Sequence, residues 1–301
     1  MERKVVLITG ANSGIGKAAA MQIARQGHHT VLAARNPQKG EAALREVRAQ
    51  APDTPVELRL LDMASQASIR EMAAAFLADH DTLDVLIHNA AIFDLTQKER
   101  VLTAEGIERV WATNHLGPVL LTACLWPALR RSPQPRLLTV GSKGLLAKPF
   151  LKVDLQDPEF ENRRFRMETA YYQSKLAQIM FALWLAEQQA GTGLTANSIR
   201  VPAVRVDIGK FGSLPGILQK LYAVKSRFAL APEEMATVYT SLATDPALAT
   251  VTGAYFDEKL NQVGAGGYAR QRENIEAVMA LTARYLDVTP LRRLAPTTAA
   301  G

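Results

Sequence analysis

The 301-residue sequence predicts an α/β fold, with one doubly wound parallel sheet of about seven strands and helices on both faces. Three observations predict it. Short, continuous apolar runs alternate with longer segments of helical periodicity, as buried parallel strands and their crossover helices require. A glycine-rich turn follows the first apolar run. No linker, repeat or low-complexity stretch divides the chain, so a single domain is expected over 1–296, with 297–301 as a frayed, flexible tail.

Each element has its own reason. Residues 5–9 read as a buried strand and 14–26 as the first helix. A strand over 30–34 leads to a helix over 38–50, with Pro37 near its start, where a missing N–H costs little. A strand over 56–61 precedes a helix over 65–79, which Ser65 can cap. Residues 85–89 form a fourth strand, 117–131 a helix broken near Pro133 and Pro135, and 137–140 a fifth strand. Over 170–189, Leu176, Ile179, Met180, Leu183 and Trp184 recur at helical spacing. A sixth strand over 195–201, a helix over 232–244, a seventh strand over 251–256 and a C-terminal helix within 272–290 complete the pattern.

Apolar residues make up 48% of the chain and charged residues 21%, which excludes a disordered chain, a collagen and a coiled coil. One cysteine, Cys124, allows no internal disulfide and points to a reducing compartment. The net charge is +6. Arg130, Arg131, Arg136, Arg163, Arg164 and Arg166 come nearest to a basic cluster, but no recognition motif accompanies them, so nucleic acid is not an expected partner. The apolar stretch at 5–8 is too short for a signal segment, and 116–129, with Pro118 and Pro127, is too short for a bilayer span. No membrane anchor and a cytoplasmic location are expected.

The turn after the first strand reads Thr9-Gly10-Ala11-Asn12-Ser13-Gly14-Ile15-Gly16-Lys17. Its glycines allow a tight turn and a close backbone approach, and the helix that follows offers free N–H groups to phosphates. This is the dinucleotide-binding arrangement of a Rossmann-type sheet. An acid at the end of the second strand would bind a ribose 2′-hydroxyl, yet no Asp or Glu lies between His28 and Gly40. Arg35 stands there instead and suits a 2′-phosphate, which favours NADP(H) over NAD(H). The alternative for Arg35 is a solvated strand end. Asp62, beside Met63, faces either an adenine edge or the cap of the next helix.

These residues resemble the short-chain dehydrogenase/reductase family, over nearly the whole chain. The marks are Thr9-Gly10-x3-Gly14-x-Gly16, Asn89-Ala90-Ala91-Ile92, Asn114, Ser142 and Tyr171-x3-Lys175. Asn114-His115-Leu116-Gly117 and the stretch around Tyr171 to Ala177 resemble the retinol dehydrogenase-like branch, whose members often carry a membrane anchor. The resemblance implies Tyr171 as general acid/base, Ser142 as holder of the substrate oxygen, Lys175 as partner of phenol and nicotinamide ribose, and Asn114 as anchor of a water. It also implies cofactor contacts from Gly10, Asn12, Ser13, Gly14, Ile15, Gly16, Arg35, Asp62, Met63, Asn89, Ala90, Ala91, Tyr171, Lys175, Pro202 and Val204. Spacing of four on a helix puts Tyr171 and Lys175 on one face, where an ammonium would favour phenolate.

The chain departs from the family at three places. His88 replaces the first asparagine of an Asn-Asn-Ala-Gly signature and reads as a packed strand-end residue. Pro202-Ala203 replaces a proline–glycine pair, and Val206 or Asp207 stands where a threonine contacts the carboxamide. Lys143 follows Ser142. A second Tyr-x3-Lys, Tyr255 and Lys259, reads as coincidence, remote from Ser142. The five histidines show no metal spacing, so no metal is expected.

The expected reaction interconverts a lipophilic aldehyde or ketone and its alcohol. The rival reading is a redox sensor that holds NADP without turnover. Two segments are candidates to cover the crevice: a charged insertion over 148–168, and 205–228, either a substrate lid or a packed amphipathic helix. Helices over 105–129 and 170–189 could pair in a homodimer, with Trp111 and Trp184 either at that interface or in the monomer core.

Overall fold

A computed structural model describes residues 3–204 and 229–292. The predicted lid over 205–228, with Val206 and Asp207, and the predicted tail over 297–301 lie outside the described residues.

The first half alternates strand and helix: β1 (Val5–Thr9), α1 (Gly14–Arg25), β2 (His29–Ala34), α2 (Pro37–Gln50), β3 (Val56–Leu60), α3 (Gln66–Asp79) and β4 (Val85–His88). The caps follow local chemistry. The Asn36 side chain accepts from the Lys39 N–H with Pro37 in the first turn of α2, and Ser65 accepts from the Ser68 N–H ahead of α3. The second half continues with α4 (Arg109–Trp111), α5 (Gly117–Arg131), β5 (Arg136–Ser142), α6 (Met167–Gln188), β6 (Thr195–Val201), α7 (Pro232–Thr244), β7 (Tyr255–Phe256), α8 (Gly267–Arg270) and α9 (Arg272–Thr282).

The seven strands stand in the order β3-β2-β1-β4-β5-β6-β7, every neighbouring pair parallel. The order reverses direction between β1 and β4, which opens a crevice at the carboxyl ends of those strands. Apolar residues of α1, α2 and α7 cover one face, and those of α3, α5, α6 and α9 cover the other.

Two expectations need correction. The seventh strand is confined to Tyr255–Phe256, because Gly253 takes φ +70 and its N–H goes to the Ala196 carbonyl. The helix expected from 105 begins at Arg109, after Gly106 at φ +77 turns the chain and Glu108 caps it. Two of the arginines that come nearest to a cluster are engaged within the fold. Arg136 is buried and donates to the carbonyls of Leu242 and Asp245, and Arg163 pairs with Asp154 and Asp157. Trp111 and Trp184 belong to the chain's own core: both are fully buried, α9 packs on α6, and His115 Nε2 meets Thr282 Oγ1 at 2.7 Å. Among the described residues no helix is long and apolar enough to cross a membrane.

Candidate active site

The glycine-rich turn is built by exclusion. Gly10 sits at φ +67, and a Cβ there would stand 2.9 Å from the Cα of Ala90. A Cβ on Gly16 would stand 2.5 Å from Asn89 Nδ2 and 2.7 Å from the Gly10 carbonyl oxygen. Asn89 braces the turn from the neighbouring strand: its Nδ2 donates to the carbonyls of Thr9 at 2.9 Å and Gly10 at 3.2 Å. Thr9 Oγ1 in turn accepts from the N–H groups of Asn89 and Ala90, both at 3.0 Å. Gly14 opens α1, and Ser13 precedes it without a side-chain cap, so first-turn N–H groups remain as donors for an anion.

Ten of the predicted cofactor residues line one cavity of about 320 Å³: Gly10, Asn12, Ser13, Ile15, Arg35, Asp62, Met63, Asn89, Ala90 and Ala91. Thr9, Ala33, Leu61, Ile92 and Thr113 complete its wall and were not singled out from the sequence as cofactor contacts. Thr9 and Ile92 had a signal, since Thr9 heads the glycine motif and Ile92 ends the motif that begins at Asn89; Thr113 reaches the wall only through chain folding. Arg35 is exposed at the rim, and among the described residues no carboxylate pairs with it. Asp62 Oδ1 accepts from the Ala64 N–H in a local turn, while Ser65 caps α3. A larger cavity of about 730 Å³, between Trp126, Gln189 and Arg292, contains none of the predicted residues. The close glycine approach, the uncapped helix start and the free guanidinium fit a phosphorylated dinucleotide.

The predicted catalytic residues come from three further elements. Asn114 lies in a π-turn, Ala112–Leu116, between α4 and α5. Such a turn is frequent at functional sites because it shifts the hydrogen-bond ladder. The Asn114 amide pairs with the backbone of Ile92, accepting from its N–H at 2.7 Å and donating to its carbonyl at 3.1 Å, and it also donates to Ser174 Oγ. Its side chain thus holds the segment that follows Asn89-Ala90-Ala91.

Ser142 ends β5, and its hydroxyl accepts from the Gly144 N–H at 3.2 Å. Tyr171 stands in the first turns of α6 with Phe93 packed on its ring, centroids 4.3 Å apart. Burial pushes the Tyr171 phenol up to about 12, with the Ser142 hydroxyl pulling the other way. Lys175 is buried one turn on. Its Nζ donates to the Val140 carbonyl at 2.7 Å and to Gln178 Oε1 at 3.1 Å, and lies 5.9 Å from the centre of the Tyr171 ring. Burial lowers its amine to about 7. Desolvation acts against the charged form of both groups, so it opposes the stabilisation of phenolate by this ammonium.

Pro202 and Val204 do not line the cavity; they follow β6, where Val204 bridges to Leu230. Tyr255 is not remote from Ser142: a Cβ on Gly141 would stand 2.7 Å from its hydroxyl. His88 is a packed strand-end residue, with Nε2 on Thr122 Oγ1 at 2.8 Å. The insertion over 148–168 is folded onto α6 by Gln173, which accepts from the Asp154 N–H at 3.1 Å and donates to the Pro158 carbonyl at 2.9 Å, and by the Lys148–Glu168 pair.

Comparison with known proteins places these features. The family model described as short chain dehydrogenase matches residues 4–151. Human retinol dehydrogenase 13 is 34% identical over 288 residues, spanning 95% of this chain and 85% of that protein. Human retinol dehydrogenase 12 is 35% identical over 255 residues, spanning 85% and 78%. Among solved structures, a protein from Mycobacterium paratuberculosis superimposes with a TM-score of 0.72 at 28% identity, covering 97% of this chain and 95% of that one. A Shigella flexneri short chain dehydrogenase complexed with NADP shares the fold at a TM-score of 0.66 and 22% identity, over 86% of this chain and 98% of that one.

Proposed function

The chain belongs to the short-chain dehydrogenase/reductase family as a retinol dehydrogenase-like member, and from that premise we propose that it is an NADP(H)-dependent oxidoreductase of lipophilic carbonyls and alcohols. Interconversion of carbonyl and alcohol is the chemistry its relatives support. The observation that carries the reading is the grouping of the Tyr171 phenol with the Ser142 hydroxyl and with Lys175, whose Nζ lies 5.9 Å from the Tyr171 ring centre, in a fold whose glycine-turn cavity is rimmed by Arg35, a guanidinium that no carboxylate pairs among the described residues.

When bound, the nicotinamide supplies or accepts the hydride at the substrate carbon. The protein's own residues handle the oxygen. Ser142 Oγ donates a hydrogen bond to it, and Tyr171 gives it a proton in reduction or takes one in oxidation. A phenol pushed up to about 12 is in its proton-donating form at neutral pH, which suits reduction. Lys175 is to hold the ribose and restore a proton to Tyr171. The amides and helix start at Asn12 to Gly16 hold pyrophosphate, and Arg35 takes the 2′-phosphate. The choice of a lipophilic substrate rests on Phe93, which packs on Tyr171 yet stays 40% exposed, and on the exposed Leu146 and Phe150 after Ser142.

The second reading, a sensor that binds NADP without turnover, draws on the engagement of Lys175 with Val140 and Gln178. A screen of aldehydes and ketones of graded chain length with NADPH, with Tyr171→Phe alongside, separates the two. The oxidoreductase reading expects turnover that rises with chain length and falls in the variant by roughly 10²–10⁴. Equal rates in the variant reject the assigned chemistry, and NADPH binding without turnover of any carbonyl favours the sensor.

A further inference from the structure

At the far end of the sheet from the candidate active site, three metal-ligating side chains converge. His29 opens β2, Glu57 lies in β3 and His80 follows the last turn of α3. Their spacing in sequence shows nothing, but the β2–β3 pairing sets Thr30 beside Val56 and Val31 beside Glu57, and α3 returns its carboxyl end to the same edge. Both imidazoles present Nε2 to one carboxylate oxygen. His80 Nε2 lies 2.7 Å from Glu57 Oε1, and His29 Nε2 lies 3.7 Å from the same atom. One ligand atom from each of the three residues lies within 4.8 Å of the other two.

The surroundings fix these orientations. Phe76 stacks on the His80 ring, centroids 4.4 Å apart, and the two imidazoles meet edge to face at 5.0 Å. Arg59 Nη2 holds the other carboxylate oxygen of Glu57 at 3.0 Å, so Oε1 is the one left to face the imidazoles. Asp79 pairs with the same guanidinium at 2.7 Å and offsets its charge. A hydrogen-bonded carboxylate held this way is the outer-shell arrangement that metal sites use. The three side chains keep 22%, 27% and 11% of their surface exposed, and His29 and Glu57 line a surface depression, so an ion has a path in.

We propose that His29, Glu57 and His80 form a binding site for a divalent transition-metal ion, zinc by chemical preference. Two imidazoles and one carboxylate are a donor set suited to zinc, with solvent in the fourth position. Bonds of about 2.0–2.2 Å in a tetrahedron put ligand atoms roughly 3.4 Å apart. The separations already present straddle that value, so side-chain adjustments close the site. The ion takes the place of the hydrogen bond between His80 Nε2 and Glu57 Oε1, and the imidazole that ligates through Nε2 is the neutral tautomer with its proton on Nδ1. It ties the end of α3 to the edge of the sheet. The length of β2 sets it roughly 20 Å from Arg35, so its role is structural rather than catalytic.

The test is a zinc titration of the full-length protein without an affinity tag, in competition with a chromophoric chelator. His29→Gln, His80→Gln and Glu57→Gln run beside Cys124→Ser. The proposal expects one Zn²⁺ per chain, a rise in melting temperature on binding, and unchanged affinity in Cys124→Ser. Loss of an outer-shell partner alone costs about 10–100-fold in affinity, so each ligand variant is expected to lose at least tenfold. Cobalt absorption of the wild-type protein reads the same site without any variant and expects the intense visible bands of a tetrahedral ion. No stoichiometric binding, retained affinity in both histidine variants, loss in Cys124→Ser, or octahedral cobalt spectra would each overturn it.

Discussion

Asn89 occupies the space that a side chain on Gly16 would need: a Cβ there would stand 2.5 Å from Asn89 Nδ2. The same amide holds the carbonyls of Thr9 and Gly10. The third glycine of the turn and the asparagine after β4 are thus two halves of one contact.

Gly16→Ala should therefore act through Asn89. The methyl group displaces the amide, disrupts two hydrogen bonds and overpacks the start of α1, at a cost of about 1–3 kcal/mol. Calorimetry should show a lower melting temperature, and fluorescence titration should show weaker NADPH binding. Gly14→Ala is the contrasting variant, since a Cβ there meets nothing within 4 Å and its strain comes from a φ of +57 alone.

Arg35→Asp should reverse the cofactor preference. A charge-assisted hydrogen bond contributes about 1.5–3 kcal/mol, so NADPH affinity should fall roughly tenfold to a hundredfold. NADH affinity should hold or rise, because the new carboxylate can accept from a 2′-hydroxyl. Parallel titrations with the two cofactors check this, and tighter NADH than NADPH binding by the wild type would reject the assignment.

Lys175→Met should trade turnover for stability. The buried amine is lowered to about 7, so between that value and 10.5 the unfolded chain holds a proton that the folded chain has released. This group therefore makes wild-type stability rise with pH across that window. The variant lacks the dependence. Urea unfolding at pH 8, 9 and 10 should show its stability relative to wild type improving by roughly 1.4 kcal/mol per unit as pH falls.

Two buried histidines should make the protein acid-labile. Burial lowers His88 and His115 each to about 3. Below 6.5 the unfolded chain takes up their protons and the folded chain does not, so stability present above 6.5 is lost as pH falls toward 3. Unfolding midpoints taken across pH 6.5 to 4 should drop steeply, and His115→Gln should reduce the slope by roughly 1.4 kcal/mol per unit.

Much of this architecture was legible because its signals are local. The strands β1, β2, β4 and β5 are rich in β-branched and aliphatic residues, β3 alternates apolar and charged ones, and the helices between them carry their own periodicity and caps, such as Asn36-Pro37 and Ser65. Gly10, Gly14 and Gly16 announced a tight turn by their place between the first strand and the first helix. The length of β7 was not legible, since the φ of Gly253 depends on where its N–H finds a carbonyl. Nor was the nearness of Tyr255 to Gly141, which follows from β7 lying beside β6 in the sheet.

By itself, the sequence determined the class of fold and the list of residues able to do chemistry, because periodicity, turn preference and residue type act over a few neighbours. Only the tertiary structure decided how those residues are used. It turned the Asn114 amide onto the backbone of Ile92, sent the Lys175 amine into the core toward Val140, and buried the Tyr171 phenol enough to keep it protonated. It also brought His29, Glu57 and His80 to one point. Direction, desolvation and long-range convergence depend on which elements pack together, and no spacing along the chain encodes that.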